Sequence, residues 1–267
     1  PPHPPPPHPP HPPSLPTRRS SDLVGTTENV AVLGIQLAHL EGDSVWFEID
    51  GESFGALKPR GGPIWLERTD NWHQLRRLDR ALKGAHRNGG FREAFTNRPQ
   101  LVVGTTGSPE DSARNWAKAR FDAEYLWYQG NASLDVIADT DFDPDAEPDR
   151  NVVVYGNAES HEDWDALVDQ AIDVRGGMVR VGDRQFEGAA LMAIRPRPGS
   201  DRASVGIIAG ANAAAMRLTE RRPILSGGFA YPDVTVLRDE SGTVVAGAGF
   251  FGTDWSVETG DFVWPED

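Results

Sequence analysis

The chain has 267 residues, a formal net charge of −14 and no cysteine. A charge of this sign repels phosphate backbones and anionic lipid, which argues against nucleic-acid binding and membrane attachment. The lack of cysteine excludes disulfide bonds and thiolate catalysis, and the apolar runs are far shorter than the roughly 20 residues that cross a bilayer.

The chain begins with a segment of low complexity. Eleven of the 22 prolines and three of the seven histidines lie in residues 1–16, a composition from which no core can form. The residues from Pro16 to Leu23 read PTRRSSDL and resemble one translated reading frame of a DNA sequencing adapter. We therefore expect residues 1–23 to be an artefact. A proline-rich linker in a polyproline helix is the alternative.

Residues 24–80 are predicted to form a small β unit. Apolar and polar residues alternate in NVAVLGIQL and SVWFEIDGESF, where Asp50-Gly51 lies between two extended runs, as in a tight hairpin. A second strand pair is predicted in PIWLERTDNWHQL, with its turn at Asp70-Asn71. Large aromatic side chains are the expected core residues of this unit. They are Trp46, Trp65 and Trp72.

The segment 81–98 is basic and interrupted by glycines. Its arginines could bind an acidic partner, but a solvated linker between two domains is the favoured interpretation. The pattern changes near Pro99, and the sequence predicts a second, larger domain over residues 99–267.

This second domain repeats a run of β-branched residues, a glycine, a polar loop and an amphipathic helix. The clearest copy is LVVGTTGSPEDSARNWAKARFDAEYLWYQG, with Ser108 placed to cap the helix and Gly130 to close it. Two further copies are NVVVYGNAESHEDWDALVDQAI, capped by Ser160, and ASVGIIAGANAAAMRLTERRP. LDVIAD and PDVTVLR supply more strands, and VRVGDRQFEG reads as a hairpin. The pattern predicts an α/β fold, an open, mostly parallel sheet with helices on both faces, as in Rossmann or flavodoxin-like domains.

In such sheets small ligands bind beyond the carboxyl ends of the strands. Glycines there let backbone amides approach a ligand, and helix amino termini favour anions, so the sequence predicts a site for a carboxylate or phosphate. Ordinary turn geometry is the competing explanation, because no G-x-x-x-x-G-K loop or G-x-G-x-x-G fingerprint is present. The candidate ligand-binding residues are Gly104, Thr105, Thr106, Gly107, Asp139, Gly156, Asn157, Gly210 and Asn212.

The acidic run DTDFDPDAEPD, from Asp139 to Asp149, has the alternating acidic residues of a calcium loop. A calcium loop needs a glycine where this chain has Pro144 and a bidentate glutamate where it has Arg150. A solvated loop is therefore predicted. The histidines after residue 23 show no metal-ligand spacing, so neither a metal site nor a cofactor is expected.

Catalytic residues are not evident in the sequence. The chain has no G-x-S-x-G nucleophile elbow, and Ser108 is interpreted as a helix cap. His161 is the histidine nearest to the predicted strand ends and the one candidate base, although a surface position on a helix is the favoured interpretation.

Three blocks of the second domain resemble a known family. They are ARFDAEYLWYQGNASLDVIADTDFDPDAEPDRNVVVYGNAES, RPRPGSDRASVGIIAGANAAAMRLTERRP and AGFFGTDWSVETGDFVW. They resemble the carboxyl-terminal region of large bacterial prolyl-oligopeptidase-like proteins, which are α/β-hydrolase serine peptidases or esterases. The resemblance covers most of residues 92–264. Where the family usually has GTG, this chain has GAN at residues 210–212, which weakens any inference of a shared site.

The resemblance implies a serine hydrolase whose catalytic domain lies upstream in the same polypeptide and is missing from this fragment. It also implies a secreted or periplasmic location, and it carries no catalytic residue onto this chain. The fragment alone is then an inactive accessory domain. A domain that binds a small anion at the strand-end crevice is one alternative. An independent hydrolase using Ser108 and His161 is the least favoured, because a capping serine is poorly placed to attack a substrate.

Overall fold

The computed structural model describes most of the chain, which divides into two compact units, Pro1–Asp79 and Arg80–Asp267. The described residues are 22–36, 45–57, 62–220, 222–224, 230–239 and 243–264. Residues 1–21 of the predicted artefact lie outside them, whereas Asp22 and Leu23 belong to the first strand.

The first unit consists of two three-stranded sheets, in the orders β1-β3-β4 and β2-β5-β6. Asp50 and Gly51 form the turn between β3 and β4, and both have positive φ angles, 53° and 83°, as a two-residue hairpin of this type requires. The strands are β1 Asp22–Gly25, β2 Val32–Ile35, β3 Val45–Ile49, β4 Glu52–Leu57, β5 Ile64–Arg68 and β6 Trp72–Leu75.

The core of the first unit differs from the predicted one. Trp72 is 3% exposed, as expected of a core residue, but Trp46 is 44% exposed. The prediction for Trp46 is wrong because burial alternates along β3 and its neighbours Val45 and Phe47 point inwards. Trp65 is half-buried and lies directly over Gly34, where an added Cβ would be 2.5 Å from the ring.

The second unit is built around an eight-stranded sheet in the order β17-β16-β15-β13-β14-β9-β7-β8. Strands β8, β7, β9 and β14 are parallel, whereas β14, β13, β15, β16 and β17 pair antiparallel. A separate antiparallel sheet contains β10, β11 and β12. The strands are β7 Gln100–Val103, β8 Asp135–Ala138, β9 Val152–Tyr155, β10 Ile172–Arg175, β11 Met178–Val181, β12 Arg184–Glu187, β13 Ala190–Pro196, β14 Ser204–Gly210, β15 Val234–Asp239, β16 Thr243–Phe250 and β17 Asp261–Val263.

Helices contribute little to this unit. The α-helices are α1 Pro109–Gly130, α2 Trp164–Leu167 and α3 Ala213–Met216, and short 3₁₀ helices cover Phe91–Phe95, Asp139–Asp141 and Arg217–Thr219. Helix α1 packs on β7, β8, β9 and α3. In the described part of the chain, no helix has the length and apolar character needed to span a bilayer.

The predicted α/β class, with a Rossmann or flavodoxin-like sheet and helices on both faces, is wrong. Strands hold 37% of the described residues and helices 19%, so the chain is mostly β. The helices predicted after β9 and β14 are only four residues long in the structure. Strand β13, which was not predicted, lies between β14 and β15 and is antiparallel to both. A central strand is apolar along its whole length whether it runs parallel or antiparallel to its neighbours. The composition of the sequence therefore did not reveal that the strand direction reverses at β13.

Residues 81–98, for which a linker is predicted, belong to the second unit. Phe91 and Ala94 are fully buried in its core. Arg87 is 1% exposed and donates hydrogen bonds to the carbonyl oxygens of Ser200 and Ala203, at 3.0 and 2.9 Å. One basic group of this segment is thus a buried guanidinium, which connects the segment to the loop that contains Ser200 and Ala203.

A buried polar network joins α1 to the sheet. Lys118 Nζ donates to Asp122 Oδ1 at 2.6 Å, and Tyr155 Oη on β9 donates to Asp122 Oδ2 at 3.0 Å. The side chains of Lys118 and Asp122 are fully buried. Burial raises the pKa of Asp122, and the Lys118 ammonium opposes that rise.

Removing one ion of this pair should lower the free energy of unfolding far more than removing both. We expect Lys118→Met to lower the free energy of unfolding by about 3–5 kcal/mol, because it leaves a buried carboxylate without its counter-ion. Lys118→Met combined with Asp122→Leu should be closer to wild type. Denaturation of the whole chain, followed by the helical circular-dichroism signal, measures both. Equal losses in the single and double variants would contradict this account.

Candidate functional site

The carboxyl ends of the four parallel strands meet at one edge of the large sheet, and the predicted site residues lie there. Gly104 to Gly107 follow β7, Asp139 follows β8, and Gly156 and Asn157 follow β9. Gly210 ends β14 and Asn212 precedes α3. The structure therefore places all nine candidates at strand ends, as their sequence positions imply.

The Asp139 carboxylate joins the loops that follow three of these strands. It is 1% exposed, and its Oδ1 accepts from the Thr105 amide at 3.0 Å and from the Thr105 hydroxyl. The same oxygen accepts from Thr140 N at 3.0 Å, and Oδ2 accepts from Glu162 N at 2.8 Å. A buried carboxylate with this many donors is fully compensated, so it fixes these loops in place.

The loop 157–162 fills the crevice above the glycines. Thr106 N donates to Ser160 O at 3.1 Å. A Cβ on Gly104 would clash with Ser160 O, and one on Gly107 would be 2.7 Å from Ser160 Cβ. Gly156, with a φ of 138°, has Ser160 Oγ at 2.8 Å from the position of a Cβ. Because these glycines have no Cβ, loop 157–162 packs directly against them.

The asparagines of the predicted site also bond within the chain. Asn157 Nδ2 donates to Gly210 O at 2.9 Å, and Asn212 Oδ1 caps α3 by accepting from Ala215 N at 2.9 Å. Gly210 is closely covered by the backbone of α3, because a Cβ there would clash with Met216 N. These polar groups were expected to bind a ligand, but their hydrogen bonds instead stabilise neighbouring turns of the chain.

The amino terminus of α1 has the predicted cap. Ser108 Oγ accepts from Asp111 N at 3.1 Å, and Asp111 Oδ2 accepts from Ser108 N at 3.3 Å, which forms a reciprocal capping box. Glu110 and Asp111 place negative charge in the first turn, where it complements the helix dipole and repels a bound anion. At the other end Asn131, with a φ of 49°, adopts the left-handed cap conformation, one residue beyond Gly130.

His161 is buried, which corrects the prediction of a surface position. It is 2% exposed, and its Nδ1 accepts from Asp163 N at 3.2 Å. Its Nε2 has no hydrogen-bond partner among the described residues. Burial lowers the pKa of His161 to about 4, against the opposing charge of Asp139. This burial was not predictable from the sequence, because the surrounding residues 159–163 are polar.

The acidic run after Asp139 wraps around an arginine that sequence reasoning missed. Arg197, which is 3% exposed, donates through Nη1 to Glu147 O at 2.7 Å and to Arg150 O. Its Nη2 donates to Pro144 O at 2.6 Å. The loop carbonyls therefore face an internal guanidinium. Within the described ranges, no cluster of three or more His, Asp or Glu side chains could hold a metal ion.

A small cavity lies beneath this acidic loop. Its volume is about 160 Å³. The lining residues are Gln100, Ile137, Asp141, Phe142, Asp143, Ala146, Glu147 and Arg197. The Glu147 carboxylate is ion-paired with Arg150 at 2.8 Å, and Arg197 is bonded to the loop backbone, so these two charged groups of the cavity already have partners.

Comparison with known proteins gives no family assignment. No family model matches the sequence, and no curated protein matches it. The resemblance to prolyl-oligopeptidase-like proteins therefore stays a prediction.

The buried His161 predicts a specific dependence of stability on pH. Its pKa is about 4 in the folded chain and near 6.5 in the unfolded chain, so between these values the unfolded state binds the additional proton. Stability should fall by about 3 kcal/mol from this residue as the pH drops from 6.5 to 4. Urea denaturation across this range measures the fall.

The variant His161→Asn isolates this contribution. An asparagine oxygen can still accept from Asp163 N, but the side chain does not ionise. The difference in unfolding free energy between wild type and His161→Asn should shrink as the pH falls. Parallel pH profiles for the two proteins would contradict the assignment.

Proposed function

We propose that residues 80–267 form a non-catalytic accessory domain of a prolyl-oligopeptidase-like serine hydrolase, with the catalytic serine in another domain of the same polypeptide. The observation that carries this proposal is the occupation of the strand-end crevice by residues 157–162. In sheets with parallel strands this crevice is the usual ligand site. A domain that fills it with its own backbone is suited to docking rather than to chemistry.

The bonding of the two candidate catalytic residues supports the same proposal. A nucleophilic serine needs a base within hydrogen-bonding reach. Ser108 is bonded to Asp111 at the exposed start of α1, whereas the buried His161 accepts from the Asp163 amide. Each side chain thus stabilises its own turn.

An accessory domain needs a surface for its partner, and strands β16 and β17 offer one at the edge of the large sheet. Exposed apolar side chains are concentrated there. They are Val244 (45% exposed), Val245 (50%), Phe250 (52%) and Val263 (76%). Val263 pairs with Ala248, two residues from Phe250, so Phe250 and Val263 share a face. We assign this face to contact with the catalytic domain.

Binding of the chain to the catalytic domain of its parent hydrolase, produced separately, tests the proposal. We expect a one-to-one complex by calorimetry. Phe250→Ser with Val263→Ser should weaken it at least about tenfold, because the variant removes the central apolar contacts of the face. Trp46→Ser, which alters a similarly exposed aromatic in the first unit, is the matched control and should leave the affinity unchanged.

Two results would overturn the proposal. Hydrolysis of an activated ester by the chain, lost in Ser108→Ala, would make the domain an enzyme in its own right. Failure of the chain to bind the catalytic domain would remove the accessory role. Unchanged binding by the Phe250 and Val263 variant would exclude this face as the contact.

A further inference from the structure

Helix α1 presents a second exposed face, on the side opposite to the core. Its buried face carries Asn115, Lys118, Ala119, Asp122 and Leu126. The exposed residues on the other side are Ala113, Ala117, Arg120, Phe121, Glu124, Trp127 and Tyr128. The three aromatic side chains among them are 42%, 56% and 76% exposed, in chain order. We call these seven residues the α1 face.

The α1 face has the spacing of a helix-pairing seam. Ala117, Arg120, Glu124 and Trp127 follow one another at intervals of three, four and three residues, which is the alternation that keeps a stripe facing a neighbouring helix. The intervals read the same in both directions about Asp122. Two copies of α1 in antiparallel orientation therefore meet with these residues at matching levels.

Side-chain size is complementary in that antiparallel arrangement. The small Ala117 of one copy lies opposite the large Trp127 of the other, and the contact occurs twice by symmetry. A parallel arrangement would instead place Trp127 against Trp127. Small and large residues at opposite ends of one stripe thus favour the two-fold, antiparallel pair.

Charge is complementary in the same register. Arg120 of one copy faces Glu124 of the other, again twice, whereas parallel pairing sets like charges opposite each other. Within the described residues neither side chain has an ion pair, and the Arg120 guanidinium lies 5.2 Å from the centroid of the Trp116 ring. The seven residues of the α1 face sum to no net charge, although the chain carries a net charge of −14.

From these observations we propose that the α1 face binds a second copy of this chain in an antiparallel, two-fold pair. With about 200 Å² per aromatic side chain, the exposed parts of the three aromatics contribute roughly 700 Å² to a two-fold interface. With the remaining residues the buried area is about 1,000 Å², at the lower end for specific complexes. An interface of this size fits a weak, reversible dimer.

Charge reversal tests this register directly. Sedimentation of the whole chain over about three decades of concentration should show a monomer–dimer equilibrium. Arg120→Glu alone and Glu124→Arg alone should each weaken it at least about tenfold, because each sets like charges opposite each other across the two-fold axis. The double variant, Arg120→Glu with Glu124→Arg, should recover the wild-type dissociation constant. A mixture of the two single variants should form a heterodimer.

Both substitutions exchange good helix formers, so α1 should persist in every variant, as circular dichroism would verify. Arg98→Glu, which makes the same charge change on an exposed arginine outside α1, is the matched control and should dimerise like wild type. A chain that stays monomeric throughout, or single reversals that leave the dissociation constant unchanged, would overturn the proposal. Loss of dimerisation leaves the proposed docking through β16 and β17 untouched.

Discussion

The carboxylate of Asp139 determines how the strand ends of the second unit are arranged. It receives hydrogen bonds from Thr105, Thr140 and Glu162, and so connects the loops after β7, β8 and β9. Parallel strands bring these loops to one edge but do not hold them together. Because an ionised group without partners is very costly to bury, the carboxylate and the three loops have to be positioned together. The crevice of the sheet is thereby closed from within.

The same principle recurs elsewhere in both units. In the first unit Asp50 accepts from the Thr27 amide and hydroxyl and from Trp72 Nε1, and these hydrogen bonds, led by those from Thr27, lower its pKa. In the second unit Arg197 donates hydrogen bonds to the carbonyl oxygens of Glu147 and Pro144 in the acidic loop. Charged side chains that form hydrogen bonds with backbone groups thus order loops in both units.

Local features were predictable from the sequence wherever a short-range mechanism determines them. The hairpin at Asp50-Gly51 and the cap at Ser108 depend on residues within three positions of each other. The fold class was not predictable, because β13 is as apolar as a parallel strand and its direction is set by long-range pairing. The positions of the candidate site residues followed from strand periodicity. Their bonding partners did not, since loop 157–162 reaches Gly104 and Asp139 only in the folded chain.

Hydrogen exchange in an Asp139→Ala variant tests most directly whether this carboxylate holds the strand-end loops together. The amides of Thr105, Thr140 and Glu162 should lose protection together, because all three donate to the same side chain. Asp141→Ala, which removes an equal charge from an exposed position on the same loop, should leave them protected. Loss of protection at Thr140 alone, with Thr105 and Glu162 unchanged, would contradict the account.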